Sequence, residues 1–144
     1  MPTEVMVENE ILELIDAARK ARYDKDADAI EALYAPGAAL FSLAPPLLHE
    51  GLDVEATRDW LDSWDGPIVI DAKDFQVKVS GDDAFAYGFM KMTGKKRVEG
   101  PISFWMRETL CLHRENGRWL IVHEHTSVPF YMDGSARGAF DLQP

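Results

Sequence analysis

Two glutamates, Glu108 and Glu124, lie on either side of an Asn116-Gly117 turn signal. Both turn residues tolerate positive φ and alternating runs flank them, so we predict two antiparallel strands joined by a tight hairpin. Neighbouring carboxyl groups in an apolar setting can exchange protons with a substrate, because burial and mutual repulsion raise the pKa of one member of the pair. Such a pair would suit general acid–base chemistry if the two glutamates meet, whereas a salt bridge from Lys91 to either glutamate would cancel the effect.

The register of this hairpin decides whether the glutamates meet, and the residues leave two registers open. A two-residue turn would place Glu108 opposite His125. A three-residue loop with a bulge at Gly117 would place Glu108 opposite Glu124. We favour the bulged form, on the strength of the family resemblance described below.

Two histidines, His123 and His125, share one face of the second strand. Strand histidines at this spacing can bind zinc, but the sequence does not clearly supply a third and a fourth ligand. We therefore predict no metal site and interpret both rings as hydrogen-bonded groups of a subunit interface. Because histidine titrates near neutrality, such an interface would loosen below about pH 6.

Length, composition and net charge limit the number of domains and the kinds of partner that this protein can have. The 144 residues fit one domain, 1–144, and the excess of acidic over basic residues gives a formal charge of −10. That charge argues against nucleic acid and anionic membranes as partners. No apolar run approaches the ~20 residues that span a bilayer, and the acidic N-terminus does not resemble a signal peptide, so we predict a cytoplasmic protein. No nucleotide fingerprint is present, and we predict no cofactor.

The elements that must position these residues follow from periodicity. We predict a first helix from about Glu4 to Arg22, a second that is capped within Asp24–Asp28 and ended by Pro36-Gly37, and a third that begins at Asp53. Ala29, Ile30, Leu33 and Tyr34 would form the buried side of the second helix. A short strand, Ala38 to Leu43, precedes the third helix, and four longer strands follow from Ile68. This order predicts an α+β fold with a hollow for a small molecule between sheet and helices.

The element order and two segments of the hairpin carry a family resemblance. Gly117-Arg118-Trp119, followed by the run Val122-His123-Glu124-His125-Thr126-Ser127, resembles the SnoaL-like branch of the nuclear transport factor 2-like superfamily. This group includes ketosteroid isomerase, limonene epoxide hydrolase, polyketide cyclases and the association domain of calmodulin-dependent kinase. The resemblance implies a cone-like, curved antiparallel sheet with three N-terminal helices on its concave side, usually in a homodimer.

The resemblance also implies a distribution of side chains between the two sheet faces. Even-numbered residues of the last strand, from Val122 to Val128, would face the cone, with Glu124 as the catalytic acid or base. The implied ligand-binding residues are Trp60, Trp64, Tyr87, Phe89, Lys91, Met106, Glu108, Leu110 and Thr126. The outer face would contact a second subunit through residues that include Arg107, His123, His125 and Trp119.

Departures from the family pattern narrow the expected activity. The three residues that ketosteroid isomerase uses are replaced here by Ala44, Ala18 and Leu110, so that reaction is not expected. We expect a small hydrophobic ligand and catalysis of proton transfer, cyclisation or hydration by Glu124, with Lys91 and Thr126 orienting polar groups. The alternative is a non-catalytic ligand-binding or association domain.

Overall fold

The computed structural model describes residues 3–144; Met1 and Pro2, which begin the predicted domain, lie outside the described residues. Within that range the chain forms helices and strands in the predicted α+β order. In chain order they are α1 (Glu4–Tyr23), α2 (Ala27–Glu31), β1 (Tyr34–Phe41), β2 (His49–Glu50), α3 (Val54–Asp62), β3 (Val69–Ser80), β4 (Asp83–Lys96), β5 (Gly100–Glu115) and β6 (Arg118–Ser127). None of the helices in residues 3–144 is long and apolar enough to cross a membrane.

Side chains that satisfy free backbone N–H groups begin each helix. Thr3 accepts a hydrogen bond from the Met6 N–H before α1, and Asp26 accepts one from the Ala29 N–H before α2. The predicted cap Asp53 accepts two such bonds at the start of α3. The buried side chains of α1 recur every three or four residues and form one apolar stripe that packs into the core; they are Val7, Ile11, Ile15, Ala18 and Ala21.

The strands form one open sheet in the order β2-β1-β6-β5-β4-β3. The four long strands β3 to β6 are antiparallel neighbours in sequence order, as predicted. β1 lies beside β6 in parallel, so the first strand of the chain is a neighbour of the last. The hydrophobic core lies between this sheet and the helices.

Strand β1 begins earlier than predicted. Tyr34 was expected on the buried side of the second helix, but that helix ends at Glu31 and Tyr34 pairs with Ile121 of β6. Pro36 and Gly37, expected to end the helix, lie inside the strand, where the register with β6 shifts. Proline lacks the N–H that a regular ladder requires, which accounts for an irregularity at this point. Pairing with β6 thus overrides the local helix signal.

The turn is the two-residue form and not the bulged form favoured from the sequence, but neither predicted pairing of Glu108 is found. Asn116 and Gly117 both have positive φ and form a two-residue turn, so that Glu115 pairs with Arg118. A bulge lies further along, at Val122, where the register shifts by one residue. As a result Glu108 lies opposite Thr126, not opposite His125 or Glu124.

This bulge reverses which residues of β6 face the core. Before the bulge the odd-numbered Trp119 and Ile121 are buried, and after it the even-numbered Glu124 and Thr126 face inward. The prediction that Trp119 lies on the outer face is therefore wrong: it is buried, and its indole N–H donates to Glu10 at 3.0 Å. Val122, predicted to face inward, is 37% exposed.

Candidate functional site

A cavity of about 550 Å³ lies between the helices and the inner face of the sheet. Its wall is mostly apolar, which suits a small organic molecule. Seven of the residues named from the sequence line it: Trp60, Trp64, Met106, Glu108, Leu110, Glu124 and Thr126. These residues come from α3, β5 and β6 and from the segment just after α3.

Three other predicted residues do not line the cavity. Tyr87, Phe89 and Lys91 lie on the opposite face of β4, and Met90 and Met92 face the cavity in their place. Tyr87 is 46% exposed, and the Lys91 ammonium lies 6.0 Å from the centre of an indole ring on β5. Lys91 is therefore not placed to orient a ligand in the cavity.

The large aromatic side chains of β4 face outward because neighbouring side chains occupy the space on its inner face. Its inward positions near the hairpin with β3 carry small residues, Ala84, Ala86 and Gly88, while the bulky Phe85 faces outward. A Cβ at Gly88 would lie 2.6 Å from the ring of Phe75, so only glycine leaves room for that ring. The prediction places the large aromatic residues of β4 on its inner face, but the small residues of this strand are the buried ones.

A buried polar cluster forms one wall of the cavity. The Tyr34 hydroxyl lies 2.9 and 3.0 Å from the two carboxylate oxygens of Glu124, to which it donates its single hydrogen. The Arg22 guanidinium donates to the Tyr34 oxygen at 3.3 Å and to the Ala18 carbonyl at 3.1 Å. Arginine and tyrosine together hold Glu124 in a defined orientation towards the cavity.

Sequence reasoning missed Arg22 and Tyr34. Arg22 is four residues after Ala18 on the apolar stripe of α1, and a charged residue on such a stripe is a signal that could have identified it. Tyr34 had no comparable signal, because its inward direction depends on pairing between β1 and β6. These strands are separated by most of the chain.

The environment keeps both partners of Glu124 in their hydrogen-bond-donating forms. Burial and the negative charge of Glu124 raise the pKa of Tyr34, so its hydroxyl stays protonated. Burial opposes the charge on Arg22, but Tyr34, Glu124 and Glu108 outweigh it and raise the pKa of Arg22. The cluster therefore contains a fixed positive charge at neutral pH.

Glu108 is the titrating group of the site. It is 9% exposed, and burial raises its pKa to about 8, with a second contribution from the charge of Glu124 and an opposing one from Arg22. Glu108 and Glu124 are diagonal neighbours on one face of paired strands, since Glu108 lies opposite Thr126 and Glu124 opposite Leu110. At neutral pH the site holds a protonated carboxylic acid beside a second glutamate oriented by Tyr34.

Three of the predicted outer-face residues, Arg107, His123 and His125, lie on the side of the sheet away from the cavity. Arg107 donates to the Ser127 hydroxyl at 3.0 Å, and His123 donates through Nδ1 to the Ala39 carbonyl at 2.6 Å. His125 is exposed, and both histidine rings lie edge-on to Phe41. In residues 3–144, no group of three or more histidine, cysteine, aspartate or glutamate side chains could hold a metal ion.

Comparisons with known proteins agree with this architecture. An NTF2-like protein of unknown function from Pseudomonas putida KT2440 is 28% identical over 99% of this chain and 100% of its own, with a TM-score of 0.87. A proposed dehydratase of the NTF2-like family from Streptomyces avermitilis is 14% identical over 87% of this chain and 97% of its own, with a TM-score of 0.76. The association domain of CaMKII from C. elegans is 21% identical over 86% of this chain and 97% of its own, with a TM-score of 0.68.

The family assignment comes from the match to a family model. No curated protein matches the chain. The model of the SnoaL-like domain matches residues 11–131, which include α1 from Ile11 onward, α2, α3, the six strands of the sheet and both glutamates of the site. This protein therefore belongs to the SnoaL-like domain family.

Proposed function

We propose that this protein is an acid–base enzyme that binds a small, mainly apolar molecule and moves a proton on it. The reaction would be an isomerisation, a cyclisation, or the addition or loss of water. The observation that carries the proposal is the position of buried Glu108 beside Tyr34-bound Glu124 in the wall of an apolar cavity, where burial raises the pKa of Glu108. Two carboxyl groups with different environments can serve as acid and base at one pH.

The two glutamates then have separate roles. Glu108 gives its proton to an oxygen of the substrate, a carbonyl or a departing hydroxyl, and Glu124 accepts a proton from carbon or from water. Tyr34 and Arg22 are positioning residues, since they act through Glu124. Thr126, opposite Glu108 and also in the wall, can hydrogen-bond the same substrate oxygen.

Fold similarity gives this proposal limited support. The Streptomyces protein described as a proposed dehydratase shares the fold, and loss of water is a reaction that an acid beside a base can perform. Folds of this kind host unrelated activities, so the argument rests on the site and not on the neighbour.

The proposal is tested with variants that remove one proton-transferring group at a time. Wild type, Glu108→Gln and Glu124→Gln are compared on a panel of apolar ketones, β-hydroxyketones and epoxides in deuterated water, and NMR detects deuterium incorporation, water loss or ring opening. Loss of a general acid or base costs about 10²–10⁴-fold in rate, which is the loss we expect for each variant. Glu13→Gln, on the exposed side of α1, is the matched control.

Two results would count against the proposal. One is full activity of both glutamine variants on a compound that wild type converts. The other is conversion of no panel member by wild type, together with no binding of any of them in a thermal-shift measurement.

A second candidate function is that of an association domain. The outer sheet face exposes aromatic side chains, with the Phe85 and Tyr87 rings stacked at 6.3 Å between centroids. The C. elegans CaMKII association domain shares the fold. Under this candidate the chain forms a homodimer through the outer face, with Arg107, His123 and His125 in the contact.

A further inference from the structure

The Trp64 indole N–H and the Lys96 ammonium lie together in another part of the cavity wall. Neither of these hydrogen-bond donors has an anionic partner within the range that the structure describes. Trp64 is 2% exposed, and its indole N–H has no acceptor among residues 3–144. The Lys96 ammonium donates to the Ser63 hydroxyl at 2.5 Å, and in the described part of the chain no carboxylate lies within 4.0 Å of it. Buried donors are nearly always paired, so the Trp64 N–H indicates a missing acceptor, and the half-buried Lys96 ammonium beside it has only a neutral hydroxyl as its partner.

The position of this donor pair is well defined by the backbone. The segment after α3 pairs with the end of β4: the Asp65 N–H donates to the Lys95 carbonyl and the Arg97 N–H to the Ser63 carbonyl. The indole of Trp64 lies against Gly94, where a Cβ would come within 2.8 Å of the ring. The Lys96 ammonium lies 5.1 Å from the centre of the same ring. Both donors are thus held at one end of the cavity wall.

The glutamates lie towards the other end. Gly88 of β4 pairs with Glu108, whereas Lys96 pairs with Gly100, eight residues further along the strand. At about 3.3 Å per residue this is on the order of 26 Å along the strand, less the length that both side chains reach back. Apolar side chains line the wall between the two ends: Met90, Met92, Phe104 and Met106.

We propose that the ligand is an elongated amphipathic carboxylate, held at one end by the Lys96 ammonium and the Trp64 indole N–H. Its apolar body lies along the methionines, and its reacting oxygen group reaches Glu108; this last part rests on the proposed function. One ammonium balances the single negative charge of a carboxylate, and the neutral indole N–H can donate a hydrogen bond to one of its oxygens. The neighbouring cations have other partners, since Lys25 donates to the Trp64 carbonyl and Lys95 and Arg97 pair with Asp65. The Lys96 ammonium therefore supplies the charge for the ligand, and a phosphate dianion would need a second such charge.

The charge of the ligand is tested with probes that differ only in charge. Decanoate and methyl decanoate are titrated into wild type, Lys96→Met and Lys95→Met, and binding is measured by calorimetry. Lys96→Met keeps an apolar stem but removes the ammonium, and Lys95, exposed and 3.7 Å from Asp65, is the matched control. We expect wild type and Lys95→Met to prefer decanoate at least tenfold, and Lys96→Met to bind both probes with the affinity that wild type has for the ester.

A second variant tests the indole independently. Trp64→Phe keeps an aromatic ring on Gly94 but removes the N–H, and we expect it to weaken decanoate binding several-fold more than ester binding. Equal affinity of wild type for both probes, or unchanged selectivity in Lys96→Met, would overturn the proposal, as would failure of both probes to bind. Selective decanoate binding in a protein whose Glu108→Gln variant retains full activity would refute the proposed function and leave the carboxylate site standing.

Discussion

Burial of Glu108 changes the acid–base chemistry of its carboxyl group. The carboxyl lies against apolar neighbours and beside a second glutamate, so its charged form is disfavoured and its pKa rises from 4.5 to about 8. The family resemblance implied a catalytic role for Glu124 alone. The structure instead makes Glu108 the protonated member of the pair and gives Glu124 a tyrosine and an arginine that keep it in place.

This raised pKa predicts a pH dependence of stability. Between pH 4.5 and about 8 the folded protein holds a proton on Glu108 that the unfolded chain has released, so the free energy of unfolding falls as pH rises through this range. The shift corresponds to at most about 5 kcal/mol, present in full below pH 4.5 and lost above pH 8. Glu108→Gln, which mimics the protonated acid, should remove this dependence.

Chemical denaturation at pH 5 and pH 8.5 measures this effect. We expect the free energy of unfolding of wild type to fall more from pH 5 to pH 8.5 than that of Glu108→Gln. The control Glu13→Gln should have the same free energy of unfolding as wild type at both pH values. Parallel behaviour of wild type and Glu108→Gln would mean that Glu108 is charged in the folded protein at neutral pH.

At the scale of elements, two bulges decide which side chains reach the cavity. The bulge at Val122 reverses the facing of β6 between Ile121 and Glu124. A second bulge places both Asp74 and Phe75 of β3 opposite a single residue of β4, Gly88. After each bulge, odd-numbered and even-numbered residues exchange faces. A prediction that assumes regular alternation along the whole strand therefore assigns the residues beyond the bulge to the wrong face.

The second bulge predicts a specific cost for a methyl group on β4. In Gly88→Ala the added Cβ would lie 2.6 Å from the Phe75 ring and 2.9 Å from the Phe75 Cα, so the strands must separate. We expect a loss of about 1–3 kcal/mol in the free energy of unfolding, measured by chemical denaturation. The same change made in a Phe75→Leu background should cost less, because part of the clash is with the ring. Equal costs in both backgrounds would place the strain in the backbone alone.

At the scale of the whole molecule, the sheet separates two surfaces with different properties. One face encloses the cavity, and the other exposes Phe41, Phe85 and Tyr87, each between 39% and 46% exposed. Clustered exposed aromatic residues often mark protein–protein contact. A dimer through this face would leave the cavity and its glutamates untouched, so enzyme and association roles are compatible.

Sedimentation tests this dimer. We expect wild type to sediment at twice the 16.2 kDa chain mass and Tyr87→Asp at the mass of one chain, because a charge would be buried in an apolar contact. Tyr23→Asp, at an exposed tyrosine of α1, should remain dimeric. A Tyr87→Asp protein with the wild-type mass would exclude the outer face near Tyr87 as the contact.

The sequence by itself determined the fold class, the helix starts and the place of the hairpin turn, but not the type of that turn. These depend on local chemistry: the Asp53 cap, the apolar stripe of α1 and the positive φ of Asn116-Gly117 are all encoded within a few neighbouring residues. The same local patterns, with the family resemblance, placed Glu108 and Glu124 on adjoining strands. They also identified seven of the residues that line the cavity.

Only the tertiary structure decided the facing of β4 and β6 and the partners of Glu124. The face of a strand is a property of its pairing, and one bulge residue such as Val122 reverses it at little local cost. The contact of Tyr34 with Glu124 joins residues 90 positions apart, through a parallel pairing that no local pattern encodes. The protonation of Glu108 depends on burial, which exists only when helices, β5 and β6 close around it.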